Sequence, residues 1–283
     1  MLTGVVHPQS PTDGAQVRPG DGQQLLRLKL GFSDVGVLSS RSVMLPELVH
    51  LLGVVPENAG LDDFRRLAVE DDALHKASAA NRKKTFNFLR RLYALDPRIP
   101  LFREALRLQR LFPADLKALM GLLAFAREPL LRACVGRVLR IPVGQTAGRE
   151  TFEAWIREFA PGRHSQAMYR SFSHNLYASF FQLGYLGAAV GKLRLRLRPV
   201  ATPAAAAYAA YLDWLNGENG LSLLAGRYSS TLGLTKAEHV SLLSAAGQLG
   251  LMRVAHTGGI LHLDFSSWLQ PGEARLSPMT LTP

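Results

Sequence analysis

The 283-residue chain contains a single cysteine, Cys134, so no disulfide can form within it. No pair of histidines has the spacing of a metal site. The sequence also lacks a phosphate-binding Gly-x-x-x-x-Gly-Lys loop, a Gly-x-Gly-x-x-Gly turn after a strand and a Gly-x-Ser-x-Gly nucleophile turn. We therefore expect a protein that is not an enzyme, with no catalytic residues, no metal and no cofactor.

Long apolar runs are missing as well. The longest stretch without a formal charge covers residues 171–191, and polar side chains and glycines interrupt it. A membrane span would need about 20 mainly apolar residues. The first ten residues have neither the basic segment nor the apolar segment of a signal peptide. These features predict a cytoplasmic protein without membrane contact.

Acidic residues are scarce in the middle of the chain. Overall, 33 Lys and Arg residues face 22 Asp and Glu residues, which gives a net charge of +11. Residues 79–140 hold 14 basic and 4 acidic side chains, and residues 161–200 hold 6 basic and none acidic. A basic middle between mildly acidic ends is typical of a surface that binds a polyanion. The charge distribution favours nucleic acid as the partner.

The helix predicted over residues 79–95 has two different faces. Phe86, Leu89, Leu92 and Tyr93 form an apolar stripe. The other face is basic without a carboxylate, and it repels itself unless an anion covers it. An exposed, merely solubilising face remains the alternative. The predicted contact residues on this face are Arg82, Lys83, Asn87 and Arg90.

A second basic element follows the helix predicted over residues 165–183. The apolar stripe of this helix would face the core, whereas Arg170 and His174 face elsewhere. A turn at 187–191 leads to strict basic and apolar alternation. In a strand, leucines 193, 195 and 197 would lie on one side. The other side would carry Lys192, Arg194, Arg196 and Arg198.

The order of helix, turn, longer helix and basic hairpin is that of a winged helix, in which one helix enters a DNA groove and the wing touches phosphates. A soluble edge strand is the alternative interpretation. A second helix and hairpin, predicted over residues 235–265, lack this basic character and favour a packing or partner-binding role.

Together these patterns predict a mainly α fold: an N-terminal helical bundle with helix-turn-helix character, followed by a winged-helix-like C-terminal region with small β-hairpins. The predicted domains are a mobile N-terminal extension (1–24), a helical N-terminal domain (25–145), a winged-helix-like C-terminal domain (146–266) and a tail (267–283).

Several stretches resemble a known family. Leu30-Gly31-Phe32-Ser33 with Gly36-Val37-Leu38, the Leu89-Arg90-Arg91-Leu92 end of a helix, Ala124 to Leu131, Leu183-Gly184-Tyr185-Leu186, and Lys192 to Pro199 followed by the helix of Tyr208 are similar to the BrxA family of BREX bacteriophage-exclusion systems. The resemblance extends over residues 25–265. Residues 39–42 read Ser-Ser-Arg-Ser where the family pattern would have an acidic residue.

The resemblance implies a small, mostly helical, non-enzymatic protein that binds double-stranded DNA in phage defence, with other BREX proteins as partners. Charge and pattern alone leave two alternatives: a winged-helix transcription regulator and a protein scaffold of the defence complex. Structured RNA as the ligand, the DNA sequence preference and the oligomeric state stay open at this point.

Overall fold

The computed structural model describes residues 21–34, 36–257 and 260–273, and the fold over these residues is mainly helical. The first half consists of helices joined by short loops. They are α1 (Asp21–Leu30), α2 (Leu45–Val54), α3 (Leu61–Val69), α4 (Ala79–Tyr93), α5 (Pro100–Leu111), α6 (Leu116–Arg127) and α7 (Pro129–Arg140).

The second half mixes helices with two small antiparallel sheets. Its elements are β1 (Thr146–Ala147), α8 (Arg149–Phe159), α9 (Gln166–Gln182), β2 (Leu186–Val190), β3 (Leu193–Arg196), α10 (Pro203–Leu215), α11 (Lys236–Gln248), β4 (Arg253–Thr257) and β5 (Ile260–Asp264). The predicted mainly α fold with small hairpins is confirmed at this level.

Local sequence signals set most helix starts. Proline begins α5, α7 and α10, where the missing N–H costs nothing because the first turn has no intrahelical acceptor. The hydroxyl of Ser78 accepts from the Asn81 N–H at 3.3 Å and starts α4. Thr235 and Glu238 cap each other at α11, which confirms the predicted capping box.

The core lies around two helices that are buried on nearly every side. Residues 119–126 of α6 and residues 204–215 of α10 are all buried. The first half of α10 is rich in alanine, and these small side chains let α5, α6 and α11 pack close to it. One hydrophobic cluster therefore extends through both halves of the described chain.

The three strands of the first sheet all belong to the second half. Its strand order is β1-β3-β2, so β3 lies in the middle, with Thr146 opposite Leu195 and Val190 opposite Leu193. Helices α8 and α9 pack against each other between β1 and β2 in the sequence. The second sheet is the hairpin of β4 and β5, which packs near α11.

Two predicted boundaries need correction. Helix α1 begins at Asp21, so residues 21–24 of the expected mobile extension are helical, and residues 1–20 lie outside the described part. The predicted tail is packed as far as residue 273, since Trp268 is buried and Glu273 pairs with Arg103 at 2.7 Å. Residues 274–283 lie outside the described part. The boundary near residue 145 stays a prediction.

Candidate nucleic-acid interface

Helix α4 presents a row of cations to solvent. Its first-turn cap and its buried stripe of Thr85, Phe86, Leu89 and Leu92 fix how the helix is turned. The opposite side is exposed, and no ion pair or carboxylate hydrogen bond holds its cations among the described residues. The exposed polar side chains of this side are Lys83, Lys84, Asn87, Arg90 and Arg91.

Arg82 departs from the predicted basic face. Its side chain turns back to the α3–α4 connection, where Nε donates to the Val69 carbonyl at 2.8 Å. One guanidinium nitrogen also lies 3.8 Å from the Asp72 carboxylate. Because α4 and α3 pack together, Arg82 lies at the border of the buried face and fastens the connection instead of facing a ligand.

Helix α9 is free of acidic residues and exposes Arg170 and His174 as predicted. Ser165 caps its start by accepting from the Met168 N–H at 3.3 Å. Neither Arg170 nor His174 forms an ion pair among the described residues. The charge of Arg170 acts on Glu153, whose pKa is lowered first by a hydrogen bond from Arg157 and to a smaller degree by Arg170.

The neighbouring side of α9 is covered by the segment 38–45 from the first half. The Ser171 hydroxyl donates to the Ser39 carbonyl at 2.9 Å, and the Asn175 amide donates to the Leu38 carbonyl at 2.8 Å. Further along, Ser179 and Gln182 each accept a backbone N–H of this segment at 3.0 Å. We call these four hydrogen bonds the loop–α9 contact. Among the described residues, the side of α9 that stays exposed is the edge with Arg170 and His174.

The strand β3 does not expose its basic side as predicted. Arg194 and Arg196 share the face that looks toward the helices, while Leu193 and Leu197 are each 40% exposed. Arg196 is only 3% exposed, and its Nε donates to the Val138 carbonyl at the end of α7, at 3.1 Å. Burial lowers the pKa of Arg196. The helix end attracts this cation because the last carbonyls of a helix carry partial negative charge.

Arg194 packs over aromatic rings of α9. Its guanidinium carbon lies 3.8 Å from the centre of the Phe181 ring and 5.6 Å from that of Tyr177. It also donates to the Gly187 carbonyl at 2.9 Å. Such stacking suits arginine because its planar cation is weakly hydrated. Arg194 therefore holds the hairpin against α9 and is half-buried.

Arg198 has a carboxylate partner in the second half of the chain. One of its guanidinium nitrogens lies 2.6 and 2.7 Å from the two oxygens of Glu238. The Arg198 hydrogen bond and the N–H and hydroxyl of Thr235 lower the pKa of Glu238 to about 2. Of the predicted wing residues, Lys192 alone is exposed without an ion pair among the described residues.

A polar pocket lies between the two basic helices. Asn81 of α4 and Asn175 of α9 both line it, with residues 40–42 of the covering segment between them. The pocket therefore joins α4 and α9, and Lys84, three positions after Asn81, is the exposed α4 cation next to its lining. Sequence reasoning missed Arg41 in this pocket, and Lys84 and Arg91 on α4. Lys84 and Arg91 lie seven positions apart, two helical turns, which was a signal available in the sequence.

The described residues contain no cluster of metal-ligating side chains. No three His, Cys, Asp or Glu side chains in this part of the chain come together as metal ligands would. Cys134 is buried, and burial raises the pKa of its thiol to about 12, so it is a poor nucleophile. None of the described helices has both the length and the apolar character needed to cross a bilayer.

Comparison with known proteins adds no relative. No model of a protein family matches the chain, and no curated protein matches it.

Proposed function

We propose that the protein binds double-stranded DNA through one surface formed by α4, the segment 38–45 and α9, and that it has no catalytic activity. One observation carries this proposal: two helices without a single acidic residue, each with exposed basic side chains, both contribute to the lining of one polar pocket. Unpaired cations at such a surface are stabilised when phosphates replace their counterions. A duplex supplies phosphates along both helices.

The contact residues differ in part from those that the sequence predicted. The exposed members of the predicted set remain: Lys83, Asn87, Arg90, Arg170, His174 and Lys192. Arg82, Arg194, Arg196 and Arg198 have partners within the protein and are assigned supporting roles. Lys84, Arg91 and Arg41 join the surface.

The element order from α7 to β3 supports a winged-helix-like unit, in which α9 takes the place of the helix that reads a groove. The loop–α9 contact limits that role, because it occupies the side of α9 next to its exposed edge. We therefore propose that the exposed edge of α9 contacts the DNA sugar-phosphate backbone and that the protein recognises bases only weakly. Asn87 is the remaining exposed side chain suited to recognising adenine.

The test is a binding series with duplex DNA at increasing salt. For a duplex, each neutralised phosphate adds about −0.9 to the slope of log affinity against log salt. The variant Lys83→Gln/Arg90→Gln should bind more weakly and lose about two such increments. The matched control, Lys236→Gln/Arg253→Gln, removes two exposed cations from α11 and β4 and should keep the slope. Wild-type protein that fails to bind, or binds without salt dependence, would refute the proposal.

Competition with unrelated DNA separates this function from transcription regulation. A regulator binds its operator about 10³-fold or more tightly than random sequence. The partly covered α9 favours the opposite outcome, in which unrelated duplexes of equal length compete equally. A single strongly preferred sequence would favour the regulator.

We further propose a role beside other BREX proteins. Its support is that stretches with the family resemblance meet in space: the Val37 N–H donates to the buried Glu128 carboxylate at 2.5 Å, and Arg127 donates to the Gly31 carbonyl. The genes next to this one provide the test. A methyltransferase and a large ATPase are expected there, and their absence would remove the basis for this role.

A further inference from the structure

The pocket between α4 and α9 has the composition of a small anion site. It encloses about 290 Å³, and its lining is mostly polar. Four segments build it: the residues before and at the start of α2, the connection before α4, the start of α4 and the middle of α9. Its polar lining includes Arg41, Ser42, Glu47, Lys76, Asn81 and Asn175.

Several donors of this pocket have no acceptor among the described residues. The Arg41 guanidinium has neither an ion pair nor a hydrogen bond there, although the side chain is half-buried. The Asn81 side chain uses its oxygen to accept from Thr85 at 3.5 Å, which leaves its NH₂ group available. The Ser42 hydroxyl accepts from Gln182 at 3.1 Å, so its proton can be donated elsewhere.

The carboxylate of the pocket already has a partner. Glu47 lies 3.0 Å from the Lys76 ammonium, and this pair contributes no net charge. Arg41 therefore gives the pocket its positive charge. A planar guanidinium beside a hydroxyl and an amide NH₂ matches a group with several acceptor oxygens around one centre.

We propose that this pocket takes one phosphate of the DNA backbone and thereby fixes how the protein sits on the duplex. The inference rests on the proposed DNA binding and names a site within that surface. Lys84 lies one helical turn after Asn81 on the exposed part of α4, so a phosphate held by Arg41, Ser42 and Asn81 would have a neighbouring phosphate within reach of this lysine. The remaining volume accommodates the sugars on either side.

The test compares Arg41→Gln with Arg253→Gln, an equal change at an exposed arginine of β4, in the same salt series. Arg41→Gln should weaken duplex binding about tenfold, because a charge-assisted hydrogen bond is lost, and should reduce the salt slope by about 0.9. Arg253→Gln should change neither. Asn81→Asp, which places a carboxylate in the pocket, should weaken binding more than Arg41→Gln does. Thermal unfolding of every variant checks that the fold is kept.

The outcomes distinguish the two proposals. If the wild-type protein binds duplex DNA and Arg41→Gln and Asn81→Asp keep both affinity and slope, the pocket assignment is overturned while the proposed function stands. If the wild-type protein does not bind DNA, both fail. A separate titration with inorganic phosphate, followed by the NMR signals of the Asn81 and Asn175 amides, should show only weak, non-saturating shifts. Saturation at low concentration would identify a free phosphate as the ligand and overturn the backbone assignment.

Discussion

Arg196 shows how a single side chain can change role between sequence and fold. It belongs to a strict basic alternation, yet it is buried and donates to the end of α7. The alternation specifies that Arg194 and Arg196 share a face, but not which face meets the helices. The aliphatic part of an arginine side chain can pack on an inner face when its guanidinium group finds a carbonyl or an aromatic ring as a partner. The geometry of β3 follows from this packing.

Substitution of Arg196 separates the two roles. Arg196→Met should keep the free energy of unfolding within about 2 kcal/mol, because an apolar side chain of similar length can fill a buried cation's place. It should also leave DNA affinity unchanged. Arg196→Glu should cost about 3 kcal/mol or more, since it buries a carboxylate next to the Val138 carbonyl. Chemical denaturation and the binding series measure both effects, and a selective loss of DNA affinity in Arg196→Met would return Arg196 to the interface.

Asp213 is a buried carboxylate that acts inside the fold. Its two oxygens accept the N–H groups of Tyr228 and Ser229 at 2.9 and 2.7 Å. Burial raises the pKa of Asp213 from 3.8 to about 6, although these hydrogen bonds oppose the shift. Gly226 lies against it so closely that a Cβ there would come within 2.3 Å of the Asp213 Cγ. The carboxylate thus organises the chain after α10.

The raised pKa has a defined effect on stability. Between pH 3.8 and about 6, the folded protein holds a proton on Asp213 that the unfolded chain has lost. In this window the contribution of Asp213 to stability falls as pH rises, by at most about 1.4 kcal/mol per pH unit. Asp213→Asn should be less stable overall, since one oxygen acceptor is lost, and should lack this pH-dependent part. Urea unfolding of both proteins between pH 4 and pH 7 gives the difference, and parallel curves would contradict the shift.

At the level of elements, the loop–α9 contact sets what α9 can do. It joins the segment before α2 to a helix more than 130 residues later. Two consecutive residues of α9 therefore have different tasks: His174 is exposed, and Asn175 holds the Leu38 carbonyl.

A pair of alanine substitutions tests this division. Asn175→Ala should destabilise the protein by about 1–2 kcal/mol, because the Leu38 carbonyl loses its donor. His174→Ala should stay within about 0.5 kcal/mol of the wild type and weaken DNA binding. Thermal unfolding and duplex binding of the two variants provide the measurement. Equal stability of both variants would mean that the contact does not hold α9 in solution.

The elements that sequence predicts well are those with local signals. Prolines at the starts of α5, α7 and α10, and the caps of α4 and α11, place these helices within a few residues. The candidate site is harder to predict from sequence, because the pocket around Arg41 forms only when α4 and α9 pack near it in the folded chain. Arg82 and Arg198 likewise find their partners through packing. Tertiary contacts decide which cations stay exposed.

At the scale of the whole molecule, α10 decides how the halves behave. It is buried against α5, α6 and α11, which belong to both predicted domains. We expect one cooperative unfolding transition for the described residues, because removing either half exposes the surface of α10. Tryptophan fluorescence reports on the second half alone, because Trp155, Trp214 and Trp268 all lie after residue 145.

Denaturation curves followed by tryptophan fluorescence and by far-UV circular dichroism, to which the helices of both halves contribute, should coincide. Separate midpoints would support the predicted boundary near residue 145 as a border between independently folding units.

The loop–α9 contact also bears on how the chain could be divided. A cut between α7 and β1 would place residues 38–45 on one piece and α9 on the other, each with backbone or side-chain groups that need the other. Each fragment should aggregate or stay partly unfolded when it is produced alone. Co-expressed, the two pieces should recover each other by fragment complementation, and that would make this protein a candidate scaffold for a split reporter whose reassembly can be read in living cells.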